Sequence, residues 1–329
     1  MVIRFDHQKK GRIAKLSALF FFLVVAMIVL SVAKDFFIKA AIEMTAPSVI
    51  GSRLQIGSFA LGIFTQKVRI KNLKLYNPPG FPDEAFLFMP EIAVDVNIQE
   101  LMRGKMHFPL VIFNMGKVIV VKDKEGQLNV DSLKIVQEQM AASKGKPTKL
   151  PEFKIDILKL NIGQIVVKDY SHAPSQVVEV YNVAIKDKVI RNIDGAPKLV
   201  ASVMVEALKP TAIRSAGLMA ATTLLGVGFL PAVAFGVIIA TDDAKAQIHQ
   251  SFTRVYQESL KLVQSLGIIK HEDLKQGQIL AKVYGCDITI TIHDKGWGLS
   301  DIVIKARKYM LAKPEIAAGL LYQLEEKFK

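Results

Sequence analysis

Residues 116–123 read GKVIVVKD and residues 163–169 read GQIVVKD, so the chain repeats a glycine followed by a short, strongly apolar run. Apolar residues at alternate positions precede each copy, at residues 108–112 and 153–157, which is typical of a β-strand. Each copy therefore predicts a strand, a turn and a second strand that ends in Lys-Asp. Because only two copies are visible, they indicate stacked β units rather than a solenoid.

The sequence on the N-terminal side of the repeat extends this β pattern. Apolar and polar residues alternate at residues 67–71 and again at 91–98, as in half-buried strands. The apolar positions shift by one between residues 71 and 73, so we expect a bulge near Asn72. The strands of the repeat are apolar on both faces, yet no series of helices follows that would cover a parallel sheet. A curved antiparallel sheet with an apolar concave face and an ordinary β-sandwich core both fit this pattern.

An open, curved sheet would hold an apolar ligand. About six to eight strands spaced ~4.8 Å apart would give a groove ~30–40 Å long, enough for an acyl chain or two but too short to cross a cell envelope alone. The residues predicted to line the groove are Val118, Val120, Ile155 and Val166.

Residues 16–33 form an uncharged run of eighteen residues, LSALFFFLVVAMIVLSVA. A bilayer core of ~30 Å requires about 20 helical residues, so this run predicts a transmembrane anchor. The alternative is a cleaved signal peptide with its cleavage site at residues 31–33, but the apolar run of a signal peptide usually has only about 7–15 residues. The basic residues before the run place the N-terminus in the cytoplasm and everything after residue 35 outside it. These basic residues are Arg4, Lys9, Lys10, Arg12 and Lys15.

A second uncharged run, residues 215–241, is rich in glycine and alanine and contains Pro231. It could span the membrane, which would return the rest of the chain to the cytoplasm. It could instead form a hairpin broken at Pro231 or lie against the sheet, which would leave the C-terminal part exported. We expect the second arrangement, although the flanking charges do not decide between them.

The last part of the chain predicts a helix, three strands and a final helix that begins at Pro314. The expected fold class is therefore α+β, with an N-terminal transmembrane helix, a curved antiparallel β-rich groove-like domain and a small helix–three-strand–helix domain. The expected divisions are a basic N-terminus (1–15), the anchor (16–35), the β-rich domain (36–210), the apolar Gly/Ala-rich segment (211–243) and the α+β domain (244–329).

Composition and charge narrow the function. Hydrophobic residues make up 51% of the chain, and the net charge is +13. No basic motif interleaved with aromatics and no zinc pattern is present, so the charge suggests anionic headgroups rather than nucleic acid. A solvated basic surface that keeps the protein soluble explains the charge equally well. The single cysteine, Cys286, excludes an internal disulfide and is expected to be a structural thiol.

No catalytic, cofactor or metal site is predicted from the sequence. The chain has no glycine-rich phosphate loop, nucleophile elbow or paired-carboxylate pattern. The histidines share no ligand spacing, and we expect solvated loop residues where they adjoin carboxylates. They are His7, His107, His172, His249, His271 and His293.

With these features in view, residues 1–210 resemble the AsmA family of Gram-negative envelope proteins. The likeness lies in the basic N-terminus and single anchor, residues 56–59 (IGSF), residues 75–81 (LYNPPGF), residues 116–123 and residues 126–130 (GQLNV). The resemblance implies an inner-membrane anchor that holds a curved β groove in the periplasm. This groove would move or buffer phospholipid and support outer-membrane assembly. The chain is far shorter than the large members, and it carries the additional segment at 215–241. Residues 244–329 resemble a small bacterial envelope domain of unknown function.

Two functions follow from the sequence. The first is a membrane-anchored module that binds or transfers phospholipid, and the second is a non-enzymatic envelope assembly scaffold with a closed β core. The expected partners are phospholipid, the membrane and an envelope protein.

Overall fold

The structure is a computed structural model that describes residues 33–134, 136–138, 152–171, 176–211, 213 and 243–329. It confirms the α+β class, with two sheets that are formed by residues 54–194 and 243–312. The predicted anchor up to residue 32 and the whole apolar run at 215–241 lie outside these residues. Within the described residues, no helix has both the length and the apolar character needed to cross a bilayer.

The first sheet has seven strands. They are β1 Leu54–Gln55, β2 Ser58–Gly62, β3 Lys67–Tyr76, β4 Ala85–Asp95, β5 His107–Lys122, β6 Lys154–Asp169 and β7 Val177–Asp194. Their spatial order is β1-β3-β4-β5-β6-β7, and β2 shares with β1 the outer side of β3. Neighbours are antiparallel except for β5 and β6, which are parallel. The prediction of an entirely antiparallel sheet was therefore wrong.

The helices beside this sheet include α1 (residues 33–50), α2 (Ile98–Met102) and α3 (Gly195–Leu208). The helix α1 continues through Pro47 to Ile50. It lies along the outer edge of the sheet, where Lys34 Nζ donates to the carbonyl of Leu61 at 2.6 Å. Further along the helix, Lys39 Nζ donates to the carbonyl of Gly57 at 3.3 Å.

The repeat corresponds to the parallel pair of strands. Met115 pairs with Ile162 and Lys117 pairs with Gln164, so Gly116 of β5 lies beside Gly163 of β6. Val118 lies beside Ile165. Each copy is part of one continuous strand of sixteen residues, so the predicted turn at each glycine is not formed. The two similar sequences lie side by side, in register at their glycines.

Gly116 and Gly163 lie on a line across the sheet, here called the crease. At this line, in each of β3, β4, β5 and β6, the alternation of side chains that face the apolar cluster shifts by one residue. Asn72 has a positive φ of 52°, but β3 and β4 keep their register across it, so the expected irregularity is not a register shift between these two strands. A Cβ on Gly163 would lie 2.9 Å from the carbonyl oxygen of Gly116, so the close approach of the two strands requires glycine at position 163. A Cβ on Gly116 would instead lie 3.2 Å from the ring of Pro90 in β4. The pairs on either side of the crease that face the same apolar cluster are Ile70 and Leu73, Met89 and Ile92, Met115 and Val118, and Ile162 and Ile165.

The second sheet has six strands, all antiparallel. They are β8 Asp243–Ile248, β9 Gly267–Asp273, β10 Gln278–Val283, β11 Cys286–Gly296, β12 Leu299–Lys308 and β13 Leu311–Ala312. The order is β13-β12-β11-β10-β9, and β8 also pairs with β12. The helices are α4 (Phe252–Leu266) and α5 (Pro314–Glu326). The helix–three-strand–helix prediction gave β10, β11, β12 and the start of α5, but it missed the three strands at the margins.

The helix α5 contacts both sheets. Its inner face packs into the core of the second sheet through Ala317 and Leu320. Its Tyr322 packs with Val166 and Val178 of the first sheet. The second sheet is therefore joined to the first through a shared helix.

Candidate lipid-binding face

One face of the first sheet is apolar from end to end, and its side chains form rows that cross the strands. The half of the sheet that ends at the β2–β3 turn is here called the lower half, and the half beyond the crease is the upper half. Two lower rows cross the sheet from β2 to β7. The first contains Leu61, Val68, Val94, Val111, Leu158 and Ile190, and the second contains Phe59, Ile70, Ile92, Phe113, Leu160 and, at the edge, Lys188.

An upper row is formed in the same way, but it is closed. It contains Leu54, Leu75, Leu87, Val118, Ile165 and Tyr181, of which the first five are buried. These residues share one apolar cluster with Leu128 and Val136 from the connection after β5 and with Met204 of α3. The chain itself therefore fills the space above this row.

The lower rows are more open. Seven of their apolar side chains are only half-buried: Phe59, Leu61, Val68, Ile70, Val94, Phe113 and Ile190. Polar residues on the opposite face of the same strands, such as Lys67, Arg69 and Glu91, show that the sheet is amphipathic here. Leu199 and Val203 of α3 pack against this part of the sheet with Val111 and Leu158. The lower rows thus form an apolar surface that the described residues cover only in part.

The size of this surface suits one acyl chain. The rows cross six strand positions, so their five gaps of ~4.8 Å span about 24 Å. One leaflet of a ~30 Å hydrocarbon core is about 15 Å thick. The predicted groove of ~30–40 Å was too long because β1 and β2 occupy the same edge.

The four residues predicted to line the groove do not share one surface. Val118 and Val120 face the apolar side in the closed upper half, with 5% and 1% of their surface exposed. Val166 faces the opposite side, beneath Tyr322 of α5. Ile155 lies in a further cluster with Val111 and Ile193. All four are buried in the described structure, so their contact with lipid stays a prediction.

The half-buried residues of the lower rows were not selected from the sequence. Alternation around Val68 and Ile70 indicated a half-buried strand, which was the available signal. It gave no reason to prefer these residues over those of the repeat, because the cover over the upper half comes from segments distant in sequence.

The β7 edge of the sheet carries polar groups in both the lower and the upper half. Lys188 lies at the end of the second row, and its Nζ is 3.6 Å from Glu206 Oε1 of α3. In the upper row, the hydroxyl of Tyr181 donates to Glu179 Oε2 at 2.7 Å. Burial, together with the nearby charge of Glu179, raises the pKa of Tyr181 far above its usual value, so this hydroxyl stays neutral.

His107 is the most highly bonded histidine of the described residues. Its Nδ1 is 2.8 Å from Glu100 Oε2 and its Nε2 is 2.8 Å from Asp156 Oδ2. The hydrogen bond from His107, followed by that from Lys154, lowers the pKa of Asp156. His107 lies in β5, so this arrangement joins β5, β6 and α2 at the lower end of the sheet. The expectation of loop positions for the histidines that adjoin carboxylates was wrong, because His271 lies in β9 and His293 in β11.

Over the residues that the structure describes, no set of three His, Cys, Asp or Glu side chains is suited to hold a metal. His7 and His172 lie outside those residues. Cys286 is buried, which raises the pKa of its thiol. A polar cleft of about 410 Å³ lies at the lower end and is lined by Thr65, Gln66, Lys67, Asp95, Val96, Asn97, Gln99 and Pro109.

No protein-family model matches the chain, and no curated protein matches it. The resemblance to the AsmA family therefore remains a prediction that rests on the residues quoted above.

Proposed function

We propose that this protein is a membrane-anchored periplasmic protein that binds phospholipid and moves or buffers it between membranes in support of outer-membrane biogenesis. The observation that supports this most is the pair of half-buried apolar rows across the lower half of the first sheet. Its activity on this proposal is non-enzymatic and requires no cofactor. The N-terminal anchor would hold it in the inner membrane.

The chemistry of the lower rows suits reversible binding. Each buried methylene group contributes about 0.8 kcal/mol, so about ten methylenes would contribute ~8 kcal/mol before the costs of association are subtracted. A net binding free energy smaller in magnitude than ~8 kcal/mol corresponds to a Kd weaker than about 1 μM. Such an affinity allows both capture and release, which a transfer protein requires.

The position of α1 also supports the proposal. Lys34 Nζ and the side chain of Asp35 both bind the backbone of Leu61, the first residue of a lower row. Lys34 and Asp35 are the last two residues of the predicted anchor at 16–35. A lipid leaving the bilayer beside the anchor would therefore meet the lower rows first.

Mass spectrometry of the gently extracted full-length protein tests the proposal. We expect co-purified phospholipid at a defined ratio to protein. Protein that is free of lipid after extraction in a mild detergent, and that binds none when phospholipid is added back, would contradict it.

Three matched substitutions locate the binding surface. Val68→Asp, in a half-buried lower row, should remove bound lipid while the protein stays folded. Val118→Asp, in the closed upper half, should unfold the domain because it buries an unpaired charge. Val189→Asp is the control, since Val189 is 41% exposed and lies on the opposite face of the sheet. It should leave both folding and bound lipid unchanged.

The full burial of the four predicted lining residues supports a second candidate function. A β domain with a closed core would serve as an envelope assembly scaffold that docks a partner protein. On this alternative, Val68→Asp and Val189→Asp would behave alike, and neither would change the lipid content of the purified protein.

A further inference from the structure

The end of α2 and the connection from it to β5 expose apolar and basic side chains together. Residues 101–106 read LMRGKM, and all six are exposed. Met102 is 85% exposed, and Leu101 and Met106 are exposed as well. Such a run is unusual on a surface that faces only water, because burial of large apolar side chains is favourable.

Two further elements expose apolar groups in the same region. The turn between β2 and β3 carries Phe64, which is 100% exposed, and Ile63. The first turns of α1 carry Phe36 and Phe37, both exposed, with their rings in an edge-to-face contact at 5.8 Å between centroids.

Hydrogen bonds between backbone groups, and one from the side chain of Lys34, hold these elements at one end of the sheet. The N–H of Val96 donates to the carbonyl of Gln66 at 2.8 Å, which joins the β2–β3 turn to the start of the connection that contains α2. The N–H of Lys154 donates to the carbonyl of Met106 at 2.9 Å. The contact of Lys34 with Leu61 places the start of α1 beside β2, at the same end.

We propose that this end of the molecule enters a bilayer surface that carries anionic phospholipid, through residues 63–64 and 101–106. Residue 33, the last residue of the uncharged run at 16–33, lies at this same end. Arg103 and Lys105 alternate with the exposed apolar residues, which matches the headgroup charge while the apolar groups enter the acyl boundary to a depth of ~5–10 Å. The inference rests on the membrane anchoring in the proposed function but not on lipid transfer.

This contact would give the anchored domain a fixed orientation. A single helix allows rotation and tilting of what it carries, whereas two further contacts define a plane. The lower rows would then open next to the bilayer, and the upper half would point away from it.

Depth-dependent quenching of tryptophan fluorescence tests this contact in the full chain. The only native tryptophan, Trp297, is fully exposed and is replaced by phenylalanine. Met102→Trp and Met44→Trp are then compared in vesicles that contain anionic phospholipid with brominated acyl chains. Both methionines are exposed, at 85% and 78%, but Met44 lies ten residues beyond Lys34 on α1, about 15 Å along the helix.

We expect loss of most of the emission for Met102→Trp and little loss for Met44→Trp. Adding Arg103→Glu and Lys105→Glu should restore emission at position 102 while circular dichroism stays unchanged. Equal quenching at the two positions, or none at position 102, would overturn the inference. Because emission does not depend on co-purified lipid, this result and that of the mass spectrometry above can fail separately.

Discussion

At the scale of single residues, the first sheet depends on a glycine at the crease and on a group of hydrogen-bonded side chains at its lower end. Gly163 allows two parallel strands to approach at the crease, because a Cβ there would meet the carbonyl oxygen of Gly116, and the phase of the apolar face changes at the same place. At the lower end, Glu100, His107 and Asp156 join three elements through two hydrogen bonds.

Replacing Gly163 with alanine tests the crease. The new Cβ would lie 2.9 Å from the carbonyl oxygen of Gly116, which a backbone atom cannot easily avoid. We expect the free energy of unfolding to fall by about 1–3 kcal/mol, as for other overpacked sites. Chemical denaturation of the detergent-solubilised protein measures it. The neighbouring Gln164→Ala is the control, and an equal loss in both would argue against a steric cause.

The carboxylate beside His107 predicts a dependence of stability on pH. The hydrogen bond from His107, followed by that from Lys154, lowers the pKa of Asp156 in the folded state. A lowered folded pKa stabilises the protein above the unfolded pKa of about 3.9, and this contribution is lost as the pH falls through the folded value.

Thermal unfolding between about pH 5 and pH 2 measures this contribution. Asp156→Asn should make the melting temperature fall less steeply on acidification than it does in the unmodified protein. Glu125→Gln, at an exposed turn residue, is the control and should leave the slope unchanged. A slope that is the same in the Asp156 variant would contradict the assignment.

At the scale of elements, the helix α5 connects the two sheets. Tyr322 packs on Val166 and Val178, and the ammonium group of Lys117 lies 4.6 Å from the centroid of its ring. Burial, followed by the charge of Lys329, lowers the pKa of Lys117, which shows how closely the end of α5 covers this lysine.

Gly319→Ala tests this connection. A Cβ at this position would lie within 1.9 Å of the carbonyl oxygen of Val178, so α5 must move away from β7. We expect faster hydrogen exchange in β7 and α5, measured by mass spectrometry, with the strands β10 to β12 less affected. Glu325→Ala, at an exposed position of the same helix, should leave exchange unchanged. Unchanged exchange in Gly319→Ala would mean that α5 does not hold the sheets together.

Elements with a strong local pattern could be predicted from the sequence, and those defined by distant contacts could not. The alternation at 287–293 gave β11, and Pro314 gave the start of α5. The parallel pairing of β5 with β6 was missed because it requires a crossover, and residues 123–153 contain no long helical pattern. The site was missed for a related reason. Burial of Val118 depends on the connection after β5 and on α3, which periodicity in β5 does not reveal.

At the scale of the whole molecule, the account joins a closed half and an open half of one sheet. The upper half supports α5 and the second sheet, while the lower half presents apolar rows beside the start of α1. The proposed function and the proposed membrane contact both place lipid at the lower half. The scaffold alternative explains the closed upper half of the sheet equally well.

Photocrosslinking in cells tests the central claim most directly. A photoreactive phenylalanine analogue replaces Phe113 in the second lower row or, as the control, Phe88. Both are half-buried, but Phe88 lies on the opposite face of the sheet. The account predicts phospholipid adducts at position 113 and none at position 88. Equal labelling at both positions, or no adduct at position 113, would contradict it.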